Sequence, residues 1–284
     1  MANSIVQNPK VCLLETDFFT QFELKVDEVL DKGMCGEVIL AIPLAKPELR
    51  RVVKKFSLLD EENKIRSMQA FQNEVQFMQS LNHPYIVKIL IAGQCKDYLA
   101  ICMYYYSRGT LDNYVGILSL DLSELCISQV ACALRYLHKN NIAHMDVKLD
   151  NIFLDDDFNA ILGDFGLAVE LQPDQKTLPK SVCGGTTCYY APERIGSPDD
   201  KQLDPYRMDA FSLGVCMWAA MLGRDPDHDI DYYYEATQNQ DLPAYIRELL
   251  LKLLDPNPGK RLTVDGFLLR LRQKGIHRHL IDSH

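Results

Sequence analysis

Two periodicities divide the chain. From Phe22 to Ala41 apolar positions alternate loosely with polar ones around the turn Lys32-Gly33-Met34-Cys35-Gly36, and the run continues as Val38-Ile39-Leu40-Ala41. Alternation of faces at every residue predicts two strands joined by a tight glycine turn. Arg51-Val52-Val53-Lys54-Lys55-Phe56 has strand composition, with Val52 and Lys54 on one face and Val53 and Lys55 on the other. Between Ser67 and Leu81 the repeat becomes helical: Phe71, Val75, Met78 and Leu81 make an apolar stripe with Glu74 beside it, and His83-Pro84 ends the run. Ile86 to Ile91 and Tyr98 to Tyr104 read as strands completing a small antiparallel sheet. The pattern then breaks at Tyr104-Tyr105-Tyr106-Ser107-Arg108-Gly109, before a helical run from Leu111 and a long amphipathic helix over Leu122 to Lys139. Residues up to about Phe22 carry no strong pattern and read as a lead-in that packs on the first domain.

The stretch His144 to Gly166 follows that helix. Ile152-Phe153-Leu154, the acidic turn Asp155-Asp156-Asp157 and Ala160-Ile161-Leu162 predict a hairpin of two short strands. Such a hairpin returns Asp164 beside Asn151 and near Asp146, with Lys148 in the same loop. A carboxylate and an amide brought together can hold Mg²⁺, which prefers a few oxygen ligands and keeps some of its waters. The remaining carboxylate is then free to accept a proton. Leu167 to Tyr190 is loop-like, with Pro173, Pro179, Gly184 and Gly185, and it ends at Ala191-Pro192-Glu193.

Composition removes several classes. The chain has 284 residues, 47% hydrophobic and 24% charged, as in an ordinary soluble globular protein long enough for one large or two small domains. A net charge of -9 argues against a general nucleic-acid binder and permits basic partners. Nine cysteines, without a Cys-x-x-Cys pair, argue against a zinc site or disulfide scaffold and for a reducing interior, cytoplasmic with a nuclear location also open. Apolar stretches such as Leu213 to Leu222 are too short to span a bilayer, and Met1 to Gln7 lacks the features of a secretory signal, so no membrane partner is expected. Oligomeric state leaves no trace in the sequence.

Taken in order, these motifs resemble the serine/threonine kinase catalytic domain of the eukaryotic-type protein kinase superfamily, over about Phe22 to Leu271. The resemblance implies an α+β, bilobal fold: a lead-in (1–21), an antiparallel sheet lobe with one helix (22–103), a hinge (104–110), a mainly helical lobe (111–275) and a tail (276–284). It implies ATP and Mg²⁺ as cofactors and a protein as substrate. Asp146 takes the base position, Asn151 and Asp164 the metal positions and Lys148 the substrate-phosphate position. Lys54, with Lys55 as the alternative one register away, reaches the α- and β-phosphates, and Glu74 pairs with it. Leu30, Gly33, Gly36, Val38 and Val52 fall at nucleotide positions of the sheet lobe. Met103, Tyr104, Tyr106 and Phe153 fall at adenine-side positions, with Met103 guarding the back pocket. Thr186 takes the place of the threonine that contacts the base and the loop lysine, which with Lys148 favours serine or threonine as acceptor. Glu193 is matched with Arg261, and Asp209 with the residue capping the catalytic loop backbone.

Three departures stand out. Asp31 replaces the first glycine of the nucleotide loop, Val52 replaces an alanine, and Met145 replaces the arginine before the base that binds an activation-loop phosphate. Val169, where a second basic residue is often found, is apolar too, so a phosphate on Thr177 or Ser181 would find no such charge pair. Activity without activation-loop phosphorylation is the expectation. The alternatives are a pseudokinase, binding nucleotide or scaffolding without turnover, and a small-molecule kinase of related fold. Asp150 would favour a basic residue upstream of the acceptor.

Overall fold

The computed structural model describes residues 11–33, 36–59 and 61–283. The first ten residues of the lead-in, the tip Met34-Cys35 of the glycine turn and His284 at the end of the tail lie outside them. The chain divides into two compact units, Met1–Asn82 with Val87–Tyr105, and His83–Ile86 with Tyr106–His284. The first is strand-rich and the second mainly helical, the α+β bilobal architecture that the family resemblance implies.

The first unit contains β1 (Cys12–Leu13), α1 (Phe18–Gln21), β2 (Leu24–Gly33), β3 (Gly36–Pro43), β4 (Arg51–Ser57), α2 (Lys64–Ser80), β5 (Ile89–Gln94) and β6 (Tyr98–Tyr104). Its sheet runs β1-β5-β6-β4-β3-β2, antiparallel throughout except for the β1–β5 pair. Val53 of the central strand β4 is fully buried on one face with Phe18, Ile39, Ala41, Ala100 and Cys102. On the other face Phe56 meets Phe71 of α2 edge-to-face, ring centroids 5.6 Å apart.

The lead-in is part of this core. Asp17 accepts hydrogen bonds from the Phe19 and Thr20 amides at 3.0 and 3.3 Å, capping α1, and Tyr98 Oη donates to the same carboxylate at 2.5 Å. Phe18 then lies so close to Gly93 that a Cβ there would come 2.9 Å from the ring. A four-residue helix is too short to show a period, which is why its pattern reads as weak.

Two predicted boundaries move. The strand expected over Ile86 to Ile91 is β5, Ile89–Gln94; Ile86 is buried instead through a bridge to Leu162 of the second unit. The helical run expected from Leu111 is a single 3-10 turn, Leu111–Tyr114, held by a reciprocal Thr110–Asn113 cap. The long helix α3 (Leu120–Lys139) begins where Ser119 accepts from the Leu122 amide at 3.3 Å.

After α3 come β7 (Ile142–Ala143), β8 (Ile152–Leu154), β9 (Ala160–Leu162), β10 (Val169–Glu170), β11 (Leu178–Pro179), β12 (Gln202–Leu203), α4 (Pro205–Leu222), α5 (Tyr232–Gln238), α6 (Ala244–Leu253), α7 (Val264–Gln273) and α8 (Arg278–Ser283). Apolar nearly all round, α4 is the buried centre of the unit, with Trp218 wholly enclosed. The tail expected at 276–284 carries α8, whose Leu280 and Ile281 are buried.

Candidate active site

In the first unit the pleat of β4 separates the two candidate lysines. With Val53 turned into the core, Lys54 projects onto the α2 face, where its ammonium is paired with Glu74. Glu74 is only 1% exposed, a burial tolerable for a carboxylate because its partner is cationic. Lys55 goes the other way and lies over the Tyr98 ring, 4.3 Å from its centroid. Val38 pairs with Lys54 across β3 and β4, and Val52 with Met103 across β4 and β6. Gly33 and Gly36 close the β2–β3 hairpin opposite one another. A Cβ on Gly36 would fall 1.8 Å from the Lys55 carbonyl oxygen, so only glycine fits. Asp31 accepts from the Lys32 amide at 2.8 Å, Leu30 is exposed, and Tyr104 packs under the Arg51 guanidinium.

In the second unit the loop after β7 is built on Asp209 of α4. This carboxylate, 1% exposed, accepts from the His144 amide at 2.8 Å, the Met145 amide at 2.9 Å and His138 Nε2 at 2.9 Å. Those bonds hold Met145 at φ +69°, a region non-glycine residues seldom occupy. The Asp146 amide donates to His144 Nδ1 at 3.3 Å, so His144 is the tautomer whose Nε2–H donates to the Gly163 carbonyl at 3.0 Å.

Asp146 stands at the meeting point of this loop. Its Oδ1 accepts from Thr186 Oγ1 at 2.8 Å, and its Oδ2 accepts from Asn151 Nδ2 at 3.2 Å and lies 3.7 Å from Lys148 Nζ. Asn151 Nδ2 also donates to the Asp146 carbonyl at 2.9 Å, which fixes the amide so that its oxygen faces away from Asp146. In the hairpin Ile152 pairs with Leu162, and the Gly163 amide donates to the Asn151 carbonyl at 2.9 Å. Asp164 is the next residue, at φ +59°, its Oδ1 accepting from the Gly166 amide at 3.2 Å. An amide oxygen and a carboxylate anchored one residue from the same ladder are a hard-oxygen pair that suits Mg²⁺. Tyr106 stacks on Phe153 at 5.6 Å in this unit.

The segment carrying Thr186 is anchored at both ends. Leu178 and Pro179 pair with Leu203 and Gln202, and Thr177 Oγ1 donates to the Gln202 side chain at 3.1 Å. Tyr189 Oη accepts from the Leu149 amide at 3.3 Å; burial pushes its phenol far above the ordinary range, as it does the thiol of Cys216. Glu193 accepts two hydrogen bonds from Arg261, both 2.7 Å, and the arginine is enclosed over Phe211. Two residues with no sequence pattern also act here. Arg194 donates to the Cys183 and Gly184 carbonyls, and Gly185, at φ +124°, approaches so near the Met145 carbonyl that a Cβ would lie 2.6 Å from it. Both meet backbone carbonyls of distant residues, which leave no trace in side-chain spacing.

The predicted site residues thus form two groups. Leu30, Gly33, Gly36, Val38, Val52, Lys54, Glu74, Met103 and Tyr104 belong to the first unit, and Tyr106, Asp146, Lys148, Asn151, Phe153, Asp164 and Thr186 to the second. Residues 24–270 match the protein kinase domain family. Among curated relatives, NUAK family SNF1-like kinase 1 of Homo sapiens is 30% identical across 85% of this chain and 37% of its own length. Protein kinase 3 of Dictyostelium discoideum is 31% identical across 84% of this chain and 28% of its own. CBL-interacting serine/threonine-protein kinase 7 of Arabidopsis thaliana is 29% identical across 89% and 62%. The chain therefore spans less than two thirds of each of these relatives. With the match covering most of both units, the chain belongs to the protein kinase domain family.

Proposed function

We propose that the chain transfers the γ-phosphoryl group of ATP to serine or threonine of a protein. The convergence of Thr186, Lys148 and Asn151 on Asp146 carries this reading. The carboxylate is held by three neighbours yet keeps lone pairs for a substrate hydroxyl, the position a general base needs. In this mechanism Lys54, steadied by Glu74, binds the α- and β-phosphates. Asp146 orients the acceptor hydroxyl and takes its proton as the oxygen–phosphorus bond forms and ADP leaves, and Lys148 neutralises the γ-phosphoryl oxygens. Asn151 and Asp164 would hold Mg²⁺, which when bound offsets phosphate charge. Positioning and electrostatics supply most of the rate in phosphoryl transfer.

Activity on this reading does not wait for activation-loop phosphorylation. Met145 is buried and apolar, and the segment around Thr177 and Ser181 is already tied by the β11–β12 ladder and by the Ser181 amide donating to the Asp199 carbonyl at 3.0 Å. The test is radiolabel transfer from ATP with Mg²⁺ to a generic basic protein. Asp146→Asn should lower turnover by at least about 100-fold with nucleotide affinity kept, and Thr177→Ala/Ser181→Ala should retain turnover. Wild-type protein that binds nucleotide but transfers no phosphate would establish the scaffolding alternative; loss of turnover in the double variant would refute independence from phosphorylation.

A further inference from the structure

Arg194, immediately after Ala191-Pro192-Glu193, forms a clamp on the loop that presents Thr186. Its two terminal nitrogens donate to successive carbonyls, those of Cys183 and Gly184. Its guanidinium lies over the Tyr190 ring, 3.5 Å from the centroid, and Tyr190 Oη donates to the next carbonyl in line, that of Gly185, at 2.8 Å. Three consecutive carbonyls are therefore held by one stacked pair of side chains.

The segment held in this way has much freedom to lose. Gly184-Gly185 places two residues without Cβ in succession, and the unfolded conformations open to glycine make ordering it costly. A planar guanidinium fixes two acceptors relative to each other, which a lysine ammonium cannot do, and stacking on an aromatic face holds its plane. The order so imposed has a destination. Gly185 passes under the Met145 carbonyl, Thr186 follows, and Thr186 Oγ1 reaches Asp146 at 2.8 Å. The Tyr189 amide then donates to the Thr186 carbonyl at 3.0 Å, and the Tyr190 amide to that of Thr187 at 3.1 Å, closing the turn on which the ring sits.

We propose that Arg194 is a positioning residue for the protein-substrate side of the reaction: with Tyr190 it sets the loop that places Thr186 on Asp146, and it does so with a cation belonging to the segment itself. The inference rests on the kinase reading given above. The hydrogen bonds and the ring contact of Arg194 fall on Cys183, Gly184 and Tyr190, all in the segment that carries Thr186, so its effect is on the phosphoacceptor side.

The experiment compares wild type with Arg194→Ala and Arg194→Lys in three measurements: binding of a fluorescent ATP analogue, kcat and KM for a basic serine peptide, and hydrogen exchange of the 183–190 segment. For Arg194→Ala, exchange of the Tyr189 and Tyr190 amides should rise at least tenfold while α4 stays protected. Peptide kcat/KM should fall about 10- to 100-fold, the size expected when a reacting group is misplaced by about 1 Å, with nucleotide affinity within twofold of wild type. Arg194→Lys, which keeps the charge and is the milder change should the alanine variant fail to fold, should lose peptide kcat/KM in the same way to a smaller extent. Unchanged exchange in both variants overturns the proposal, as does loosened exchange with peptide kcat/KM unaltered; full retention by lysine overturns the role of the planar fork. A wild type that phosphorylates nothing refutes the kinase reading instead, and the exchange measurement still decides whether Arg194 orders the loop.

Discussion

Replacing Arg261 by methionine tests how the substrate segment is anchored to the helical unit. Arg261 has no exposed side-chain surface and Glu193 has 8%, so the pair is removed from water. Methionine fills most of the arginine volume and leaves the Glu193 carboxylate buried without its cation, a loss of about 3–5 kcal/mol. The carbonyls of Asp255 and Arg207, each accepting from Arg261 at 2.9 Å, lose their donor as well, for about 1 kcal/mol apiece. Glu193→Gln alone strands the arginine at a cost of similar size. The double variant Glu193→Gln/Arg261→Met has no buried charge left, so its loss should shrink to the roughly 1–2 kcal/mol of the two carbonyls. A coupling of about 6 kcal/mol or more follows. The readout is urea unfolding followed by fluorescence of Trp218, the single tryptophan, which is wholly buried in the same unit and so reports its unfolding. If the double variant loses the sum of the two single losses to within about 0.5 kcal/mol, the pair is not coupled and the account of the anchor fails.

Two further outcomes concern buried titrating groups. Burial raises the Glu124 carboxyl above its ordinary range, despite the Tyr245 hydroxyl donating to it at 2.9 Å. A carboxylate with a raised folded-state pKa weakens the fold above that pKa and ceases to do so as pH falls below the unfolded value. Glu124→Gln should therefore raise unfolding free energy at pH 7, with the gain vanishing towards pH 3; a gain that grows on acidification would reverse the assignment. Burial also pushes the thiols of Cys102 and Cys132 up to about 11 and that of Cys126 up to about 12, whereas Cys12 is exposed. Iodoacetamide on the native protein at pH 8, read by peptide mass spectrometry, should label Cys12 well before those three, and labelling of Cys126 in step with Cys12 would contradict the packing of α3.

Local order was legible in the chain because it is written at short range. The period of two around Gly33 and Gly36, the helical stripe from Phe71 to Leu81 and the hairpin at Asp155-Asp156-Asp157 follow from backbone geometry over a few residues. The types and order of Lys54, Glu74, Asp146, Asn151 and Asp164 were legible through their resemblance to protein kinase motifs. Other features had no local signal. Lys54 and Lys55 are adjacent and alike, and only the burial of Val53 against Ile39 and Cys102 decides which ammonium meets Glu74. Phe18 looks like loop until Gly93 opens a place for its ring, and Ile86 looks like strand until Leu162 claims it. Thr186 lies forty residues from Asp146, and Glu193 sixty-eight from Arg261. The sequence by itself settled most of the strand and helix segments and which side chains have chemistry to offer. The tertiary structure decided which of those side chains meet, because periodicity expresses the geometry of one stretch of backbone, while a contact between distant stretches exists only once the core has closed around both.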